Sequence, residues 1–242
     1  MRIIAFCGPK SSGKDTAAKT LFRHNEGYRK ELFLHCPMAE GVKNICSDFF
    51  GWSFEQMQDF DFKETPIELW PNGPVMAARW PMMDIANWLR DKYGGAIHAE
   101  RWARRVSQAE EAKLNSRDGT GWGAYVTTDL RFPEELDTFQ RIADNNLLVI
   151  YVERATSESA LAEKQQAGDA MALNPSEAHY AMLKEYAQTH GVVIHNNQHI
   201  ENLSNEVNNA VKNFFGHWQY WTDTAPFLHT DDFLTKLRTG QI

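Results

Sequence analysis

The sequence predicts an α/β fold, in which a parallel sheet of about five strands has helices on both faces and carries one large helical insertion. Short, almost continuously apolar runs alternate with stretches whose apolar residues recur at helical spacing. Such runs are typical of parallel strands that are covered on both faces. Residues 51–122 lack them, and this stretch is longer than a crossover helix requires, which indicates the insertion.

Five apolar runs are predicted as the strands of this sheet. They lie at residues 3–7, 31–36, 124–128, 147–152 and 192–195. Helical spacing is strongest after the last run, where one apolar face is formed by Leu203, Val207, Ala210, Val211 and Phe214.

The composition is that of an ordinary globular protein, with 242 residues, 43% hydrophobic and 24% charged. A net charge of −7 argues against a nucleic-acid-binding surface over the whole molecule, whereas a mononucleotide needs only a local basic pocket. No apolar run approaches the length of a membrane span, and the N-terminus lacks a signal-peptide pattern. The three cysteines suggest no metal site. We therefore expect a cytoplasmic protein without nucleic-acid or membrane partners.

A glycine-rich turn between the first strand and the first helix is the strongest motif. Glycines allow close approach of a phosphate, the backbone amides and helix N-terminus attract it, and a lysine reaches the outer phosphates. The strict pattern has Ser or Thr directly after the lysine, where this chain has Asp15. The alternative is a structural turn with a surface lysine and no ligand. The turn reads Gly8-Pro9-Lys10-Ser11-Ser12-Gly13-Lys14-Asp15-Thr16.

A second motif follows the strand at 124–128. Asp129 stands at the carboxyl end of this buried strand, where a carboxylate that helps to hold Mg²⁺ is expected. Arg131 lies two residues on, and a guanidinium grips phosphate oxygens in a fork. Alternatively, Arg131 simply pairs with Glu134 or Glu135.

Six of the eight tryptophans lie in the stretch 51–122. We expect them to form the core of a helical cap, although one could stack on an aromatic base. They are Trp52, Trp70, Trp80, Trp88, Trp102 and Trp122.

Four places together resemble the P-loop nucleoside monophosphate kinases, and most closely the bacteriophage-type deoxynucleoside monophosphate kinases. The similarity spans roughly residues 1–215. It rests on the Gly-Lys-Asp-Thr end of the loop, on Phe62-Lys63-Glu64 followed by Arg79, on Trp88-Leu89-Arg90 with Gly94-Gly95, and on Asp129-Leu130-Arg131-Phe132-Pro133 with Glu135.

The resemblance implies a P-loop kinase-type three-layer sandwich with a divided chain. Its core would comprise residues 1–50 and 123–216, and residues 51–122 would form an acceptor-binding cap. Residues 154–177 would be a lid-like segment over ATP. The tail, 217–242, has no counterpart in the family, and its aromatic residues suggest that it packs on the body or on a partner subunit, which leaves a homodimer open.

The resemblance also implies a reaction, in which the γ-phosphate of ATP moves to a deoxynucleoside monophosphate with the help of Mg²⁺. Asp15 and Asp129 would hold the metal. ATP would be bound by Gly8, Lys10, Ser11, Ser12, Gly13, Lys14, Asp15, Thr16 and Arg154. The acceptor would be bound by Lys63, Arg79, Arg90 and Arg131, and the catalytic residues would be Lys14, Asp129, Arg131 and Arg79.

Two other functions stay open at this point. The same fold could phosphorylate another small acceptor, such as dephospho-coenzyme A or a phosphorylated isoprenoid. Alternatively, Asp15 could mark a nucleotide-binding module that has lost its chemistry.

Overall fold

The computed structural model describes residues 1–24, 33–114, 123–169, 175–197 and 199–215. Its chain forms two compact units. The first holds Met1–Met38 and the described residues from Ala99 onward, and the second is Ala39–His98. No helix among the described residues is long and apolar enough to cross a membrane.

The described helices and strands follow one another along the chain in this order. They are β1 (Ile3–Cys7), α1 (Lys14–His24), β2 (Phe33–His35), α2 (Glu40–Phe50), α3 (Phe60–Glu64), β3 (Pro66–Glu68), β4 (Val75–Ala77), α4 (Arg79–Tyr93), α5 (Ile97–Leu114), β5 (Ala124–Thr127), α6 (Pro133–Ala143), the 3₁₀ turn Asp144–Asn146, β6 (Leu147–Glu153), α7 (Ala155–Gln166), α8 (Pro175–Ala178), α9 (Tyr180–His190), β7 (Val192–His195) and α10 (Ile200–Phe215).

The first unit is built on a five-stranded parallel sheet in the order β2-β5-β1-β6-β7. The predicted sheet is thereby confirmed. β1 is the middle strand, and its Ile3 lies opposite Tyr125 of β5 and Leu147 of β6. Residues 31 and 32 of the predicted second strand lie outside the described residues.

Side chains alternate between the two faces of this sheet, and each face has its own core. Ile3, Ala5 and Cys7 of β1 point to the face covered by α5, α6 and α9. Ile4 and Phe6 point to the opposite face, which α1 and α10 cover. Because both faces are buried, the strands read as continuous apolar runs rather than as alternating patterns. The first unit is therefore a three-layer α/β sandwich.

The second unit has a separate core around Val42, Cys46, Trp52, Met57 and Leu69. It contains a short antiparallel hairpin, β3 with β4, in a stretch for which the sequence predicted no strand. That prediction was wrong. Each strand has only three residues, most of them at least partly exposed, which is too short for a clear strand pattern in the sequence.

The boundaries of the units differ from those expected for the insertion. α2 belongs to the second unit and most of α5 to the first, so the divisions fall near residues 39 and 98 instead of 51 and 122. Trp102 of α5 is 1% exposed and donates from its indole nitrogen to the carbonyl of Cys36, at 2.5 Å. Trp102 therefore packs in the core on one face of the large sheet, not in the core of the second unit.

The other tryptophans divide between core and surface. Trp52 is buried in the second unit, whereas Trp70 and Trp88 are more than half exposed. Trp80 is half-buried, and Trp122 lies outside the described residues. The expectation that all of them form the core of a cap was therefore wrong for Trp70 and Trp88.

Candidate phosphate-binding site

The glycine-rich turn lies at the carboxyl edge of the sheet, directly after the middle strand. All five strands are parallel, so the segments that follow β1, β5, β6 and β7 meet at this edge. Chain connections leave β1 toward β2 on one side and leave β6 toward β7 on the other. In open α/β sheets, ligands bind in the crevice at such a reversal.

The backbone of the turn needs glycine at two positions. Gly8 and Gly13 have φ values of 135° and 95°, which disfavour any side chain. A Cβ on Gly8 would lie 2.4 Å from the carbonyl oxygen of Val152, and one on Gly13 would lie 2.2 Å from Nδ2 of Asn196. From the sequence alone, these glycines are expected because they allow a phosphate to approach the loop closely. Close packing against the ends of β6 and β7 already requires them.

Lys14 is the first residue of α1 and is only 7% exposed. It is therefore not the surface lysine of the structural-turn alternative. Burial, followed by the positive charge of Arg131, lowers the pKa of Lys14, and the carboxylates Asp15, Asp129 and Glu177 oppose that shift. Two cations and three carboxylates are thus close enough to influence one another. Asp15, Asp129 and Arg131, three residues that the sequence assigns to the site, therefore lie near Lys14.

The remaining loop residues leave one side of the turn open. Lys10, Ser11, Asp15 and Thr16 are exposed, and Ser11 has a φ of 66°. Ser12 is fully buried, and its hydroxyl has no hydrogen-bond partner among the described residues.

This arrangement fits a bound polyphosphate. The amide of Ser12 bonds to the carbonyl of Pro9, at 3.1 Å, and the first turn of α1 closes with Ala17 donating to Gly13. A helix N-terminus, a buried ammonium and an unsatisfied hydroxyl all favour an anion. The hard carboxylate oxygens of Asp15 and Asp129 are suitable ligands for Mg²⁺.

The side chain of Arg131 pairs with Glu177, which lies outside the motif from Asp129 to Glu135. A nitrogen of its guanidinium lies 3.3 Å from Oε1 of Glu177, and the hydroxyl of Tyr180 donates to the same oxygen at 3.5 Å. Tyr180 first, and then Glu177, raise the pKa of Arg131 above its ordinary value, so the guanidinium stays charged. Glu135 instead accepts from the backbone amides of Arg131 and Phe132, at 3.0 and 3.2 Å. The sequence left open whether Arg131 binds phosphate or simply pairs with Glu134 or Glu135, and the structure adds Glu177 as a partner of its side chain.

Arg154 directly follows β6 and lies at the same edge of the sheet. Its side chain is exposed, and it is the residue before α7. The lid-like segment that it begins is described as α7 and α8, and residues 170–174 lie outside the described part of the chain.

Three of the four residues expected to bind the acceptor belong to the second unit, namely Lys63, Arg79 and Arg90, whereas Arg131 belongs to the first. Arg79 begins α4 and donates from Nε to the carboxylate of Glu64, at 2.6 Å. Lys63 lies in the last turn of α3, and Arg90 in the last turn of α4. Glu64 follows Lys63 in the same short motif. This motif and Arg79 are therefore in contact, as a pair of side chains within the second unit.

Several charged residues beside the loop were missed by sequence reasoning. Glu153, at the end of β6, pairs with Lys184 at 2.8 Å and with His195 at 3.1 Å, and Lys184 also approaches Glu158 at 3.4 Å. The hydrogen bond from Lys184 lowers the pKa of Glu153. None of these residues belongs to a motif. The adjacency of β6 and β7 and the packing of α7 and α9 beside them bring these residues together.

No protein-family model matches the chain, and no curated protein matches its sequence. Among solved structures it is similar to a gluconokinase from Sinorhizobium meliloti 1021, at 16% identity, over 88% of this chain and 96% of that chain, with a TM-score of 0.36. It is also similar to the YorR protein of Bacillus subtilis, solved in complex with phosphorylated GDP, at 14% identity, over 89% of this chain and 99% of that chain, with a TM-score of 0.34. Values this low carry no argument about substrate.

Proposed function

We propose that this protein is a Mg²⁺-dependent kinase that transfers the γ-phosphate of ATP to a deoxynucleoside monophosphate. The observation that supports it most is the buried Lys14 at the start of α1, beside Arg131 and Asp129 and behind a turn that requires glycine. Burying two cations side by side is costly unless an anion neutralises them. A chain of phosphates is such an anion.

The transfer needs positioning and compensation of charge more than it needs covalent chemistry. The acceptor's phosphate oxygen bonds to the γ-phosphorus while the bond between that phosphorus and the β–γ bridging oxygen breaks, and ADP leaves. Because a phosphate oxygen is already a nucleophile, no strong general base is required. The loop amides and Lys14 hold the β- and γ-phosphates, and Arg131 compensates the charge on the transferred group.

The metal would be held by Asp15 and Asp129. When bound, Mg²⁺ neutralises charge on the β- and γ-phosphate oxygens. Asp15 replaces the hydroxyl that usually follows the loop lysine, and its side chain is exposed and available for this purpose.

The acceptor would be bound through its own phosphate by Arg79, with Lys63 and Arg90 as further cations. The hydrogen bond from Nε of Arg79 to Glu64 holds the guanidinium in one orientation. A preorganised guanidinium loses less entropy on binding a phosphate than a free one does.

A coupled assay of ADP release across a panel of acceptors tests this function. The panel contains the common deoxynucleoside and ribonucleoside monophosphates, dephospho-coenzyme A and a phosphorylated isoprenoid, each with and without Mg²⁺. We expect turnover with at least one deoxynucleoside monophosphate, and only with the metal. Turnover with a non-nucleotide acceptor alone, or with none of them by a folded protein that binds ATP, would contradict the proposal.

A further inference from the structure

Asn196, in the turn after β7, contacts the phosphate loop although it lies 184 positions further along the chain. Its side-chain Nδ2 donates to the carbonyl oxygen of Ser12, at 2.8 Å. The same nitrogen is the atom that a Cβ on Gly13 would meet at 2.2 Å. The amide therefore sits directly against the Ser12–Gly13 peptide.

The turn that carries Asn196 is itself held in place. The backbone amide of Asn196 donates to the carbonyl of Glu153 at the end of β6, at 2.7 Å. The neighbouring Asn197 accepts from the amide of Ala155 through Oδ1, at 3.3 Å. These contacts attach the turn to the strand beside β1, so Asn196 presents its side chain from a rigid support.

The contact fixes the direction of one backbone amide in the loop. In a trans peptide the N–H of the second residue points away from the carbonyl of the first. The described part of the chain contains no cis peptide. Since the carbonyl of Ser12 points to Asn196, the N–H of Gly13 points to the opposite side, away from β7. In a phosphate loop, backbone amides that point into one concavity hold the anion.

We propose that Asn196 is a positioning residue of the phosphate loop, which orients the Ser12–Gly13 peptide so that the Gly13 amide faces bound phosphate. This role rests on the proposed phosphate-binding function of the loop. It also explains why position 13 admits only glycine, since a side chain there would displace the amide group of Asn196.

Binding of inorganic tripolyphosphate and of ATP, measured by titration calorimetry on the full chain, tests this role. Asn196→Ala should weaken both by about three- to tenfold, which corresponds to one hydrogen bond. Asn196→Asp keeps the size but sets a carboxylate against the carbonyl of Ser12, and it should weaken both at least as much. The matched control is Asn145→Ala, which removes an exposed asparagine side chain in the 3₁₀ turn before β6, at the opposite end of that strand, and should leave tripolyphosphate binding unchanged.

Two further measurements distinguish positioning of the loop by Asn196 from a purely structural role. If Asn196 positions the loop, its variants raise the KM for ATP but not the KM for the acceptor, and their urea midpoints stay near that of Asn145→Ala. Unchanged tripolyphosphate and ATP binding in both Asn196 variants would overturn the inference. So would a loss that is equal for ATP and for the acceptor and that follows the loss of stability.

The outcome also distinguishes this inference from the proposed function. A wild-type chain that binds tripolyphosphate but phosphorylates no monophosphate contradicts the function alone, and the Asn196 variants still decide the positioning role. A wild-type chain that binds neither ATP nor tripolyphosphate overturns both.

Discussion

Lys14 and Arg131 set two positive charges beside each other at the end of β1 and β5. Lys14 is almost fully buried, and Arg131 is among the causes that lower its pKa. Asp15, Asp129 and Glu177 compensate part of this cost. The placement of these two charges therefore favours binding of an anion over stability of the protein without a ligand.

Replacing Lys14 should separate these two properties. The pKa of Lys14 is lower in the folded than in the unfolded chain, so the folded state binds this proton less tightly, and stability rises with pH between the folded pKa and 10.5. Lys14→Met removes the buried charge. We expect its thermal midpoint without ligand at neutral pH to be no lower than that of the wild type, while ATP no longer raises it.

The exposed Lys19 on the same helix supplies the control, because Lys19→Met should change neither quantity. A marked fall in the midpoint of ligand-free Lys14→Met would show that the lysine stabilises the empty loop, contrary to this account.

The sequence could predict Gly8, Gly13, Lys14, Asp129 and Arg131 because they occur in contiguous motifs. Asn196 and Glu177 could not be found in this way. They lie on segments that reach the loop only through the order of strands β1, β6 and β7 and the packing of α9 on the sheet. A single sequence contains no signal for that adjacency.

At the scale of elements, the N-terminus of α6 positions Arg131. Glu135 is fully buried and accepts from two backbone amides, those of Arg131 and Phe132. The sequence indicates that Asp129 and Arg131 follow a strand end, but it contains no sign of how the segment after the strand is held. One buried carboxylate holds it, since it satisfies amides that a helix start otherwise leaves unpaired.

Removing this carboxylate should destabilise the protein. Glu135→Ala leaves buried amides without a partner, and we expect a loss of about 1–3 kcal/mol in the free energy of unfolding by urea. Activity should fall as well, because Arg131 loses its backbone anchor. The neighbouring Glu134 is exposed, and Glu134→Ala should stay near the wild type in both measurements. Equal stability of the two variants would refute the role assigned to Glu135.

The elements that were predicted and those that were missed differ in burial. The three inner strands of the large sheet, β1, β5 and β6, are buried over most or all of their length and read as apolar runs. The hairpin of the second unit has short strands with exposed residues, and its turn contains Asn72 with a φ of 61°. Local sequence therefore identifies elements whose burial is continuous and misses those that depend on contacts within their own unit.

At the scale of the whole molecule, an ion-pair network joins β6, α7, α9 and β7 beside the loop. Lys184 contacts Glu153 and Glu158, and His195 contacts Glu153. The Lys184 hydrogen bond lowers the pKa of Glu153, and the same bond raises the pKa of Lys184. The network therefore links elements that are far apart in the chain.

The network should make folding stability depend on pH in the acid range. Because the folded pKa of Glu153 lies below its ordinary value of 4.5, its contribution is present above 4.5 and is lost as the pH falls through the folded pKa. We expect Lys184→Met to lower the thermal midpoint at neutral pH and to approach the wild type as the pH falls from about 6 to about 3.

Circular dichroism melts over this range check the expectation, with Lys164→Met, on the exposed part of α7, as the control. A difference between Lys184→Met and the wild type that stays constant with pH would show that the pair does not act through the ionisation of Glu153.

The most direct test of the central claim follows the phosphate itself. ATP labelled at the γ-phosphate is incubated with the full chain, Mg²⁺ and the deoxynucleoside monophosphate that gives the fastest ADP release. The account predicts that the label appears in the deoxynucleoside diphosphate with the wild type and that Lys14→Met transfers at least about a hundredfold less. Label that is released only as free phosphate, or transfer that persists in Lys14→Met, would contradict it.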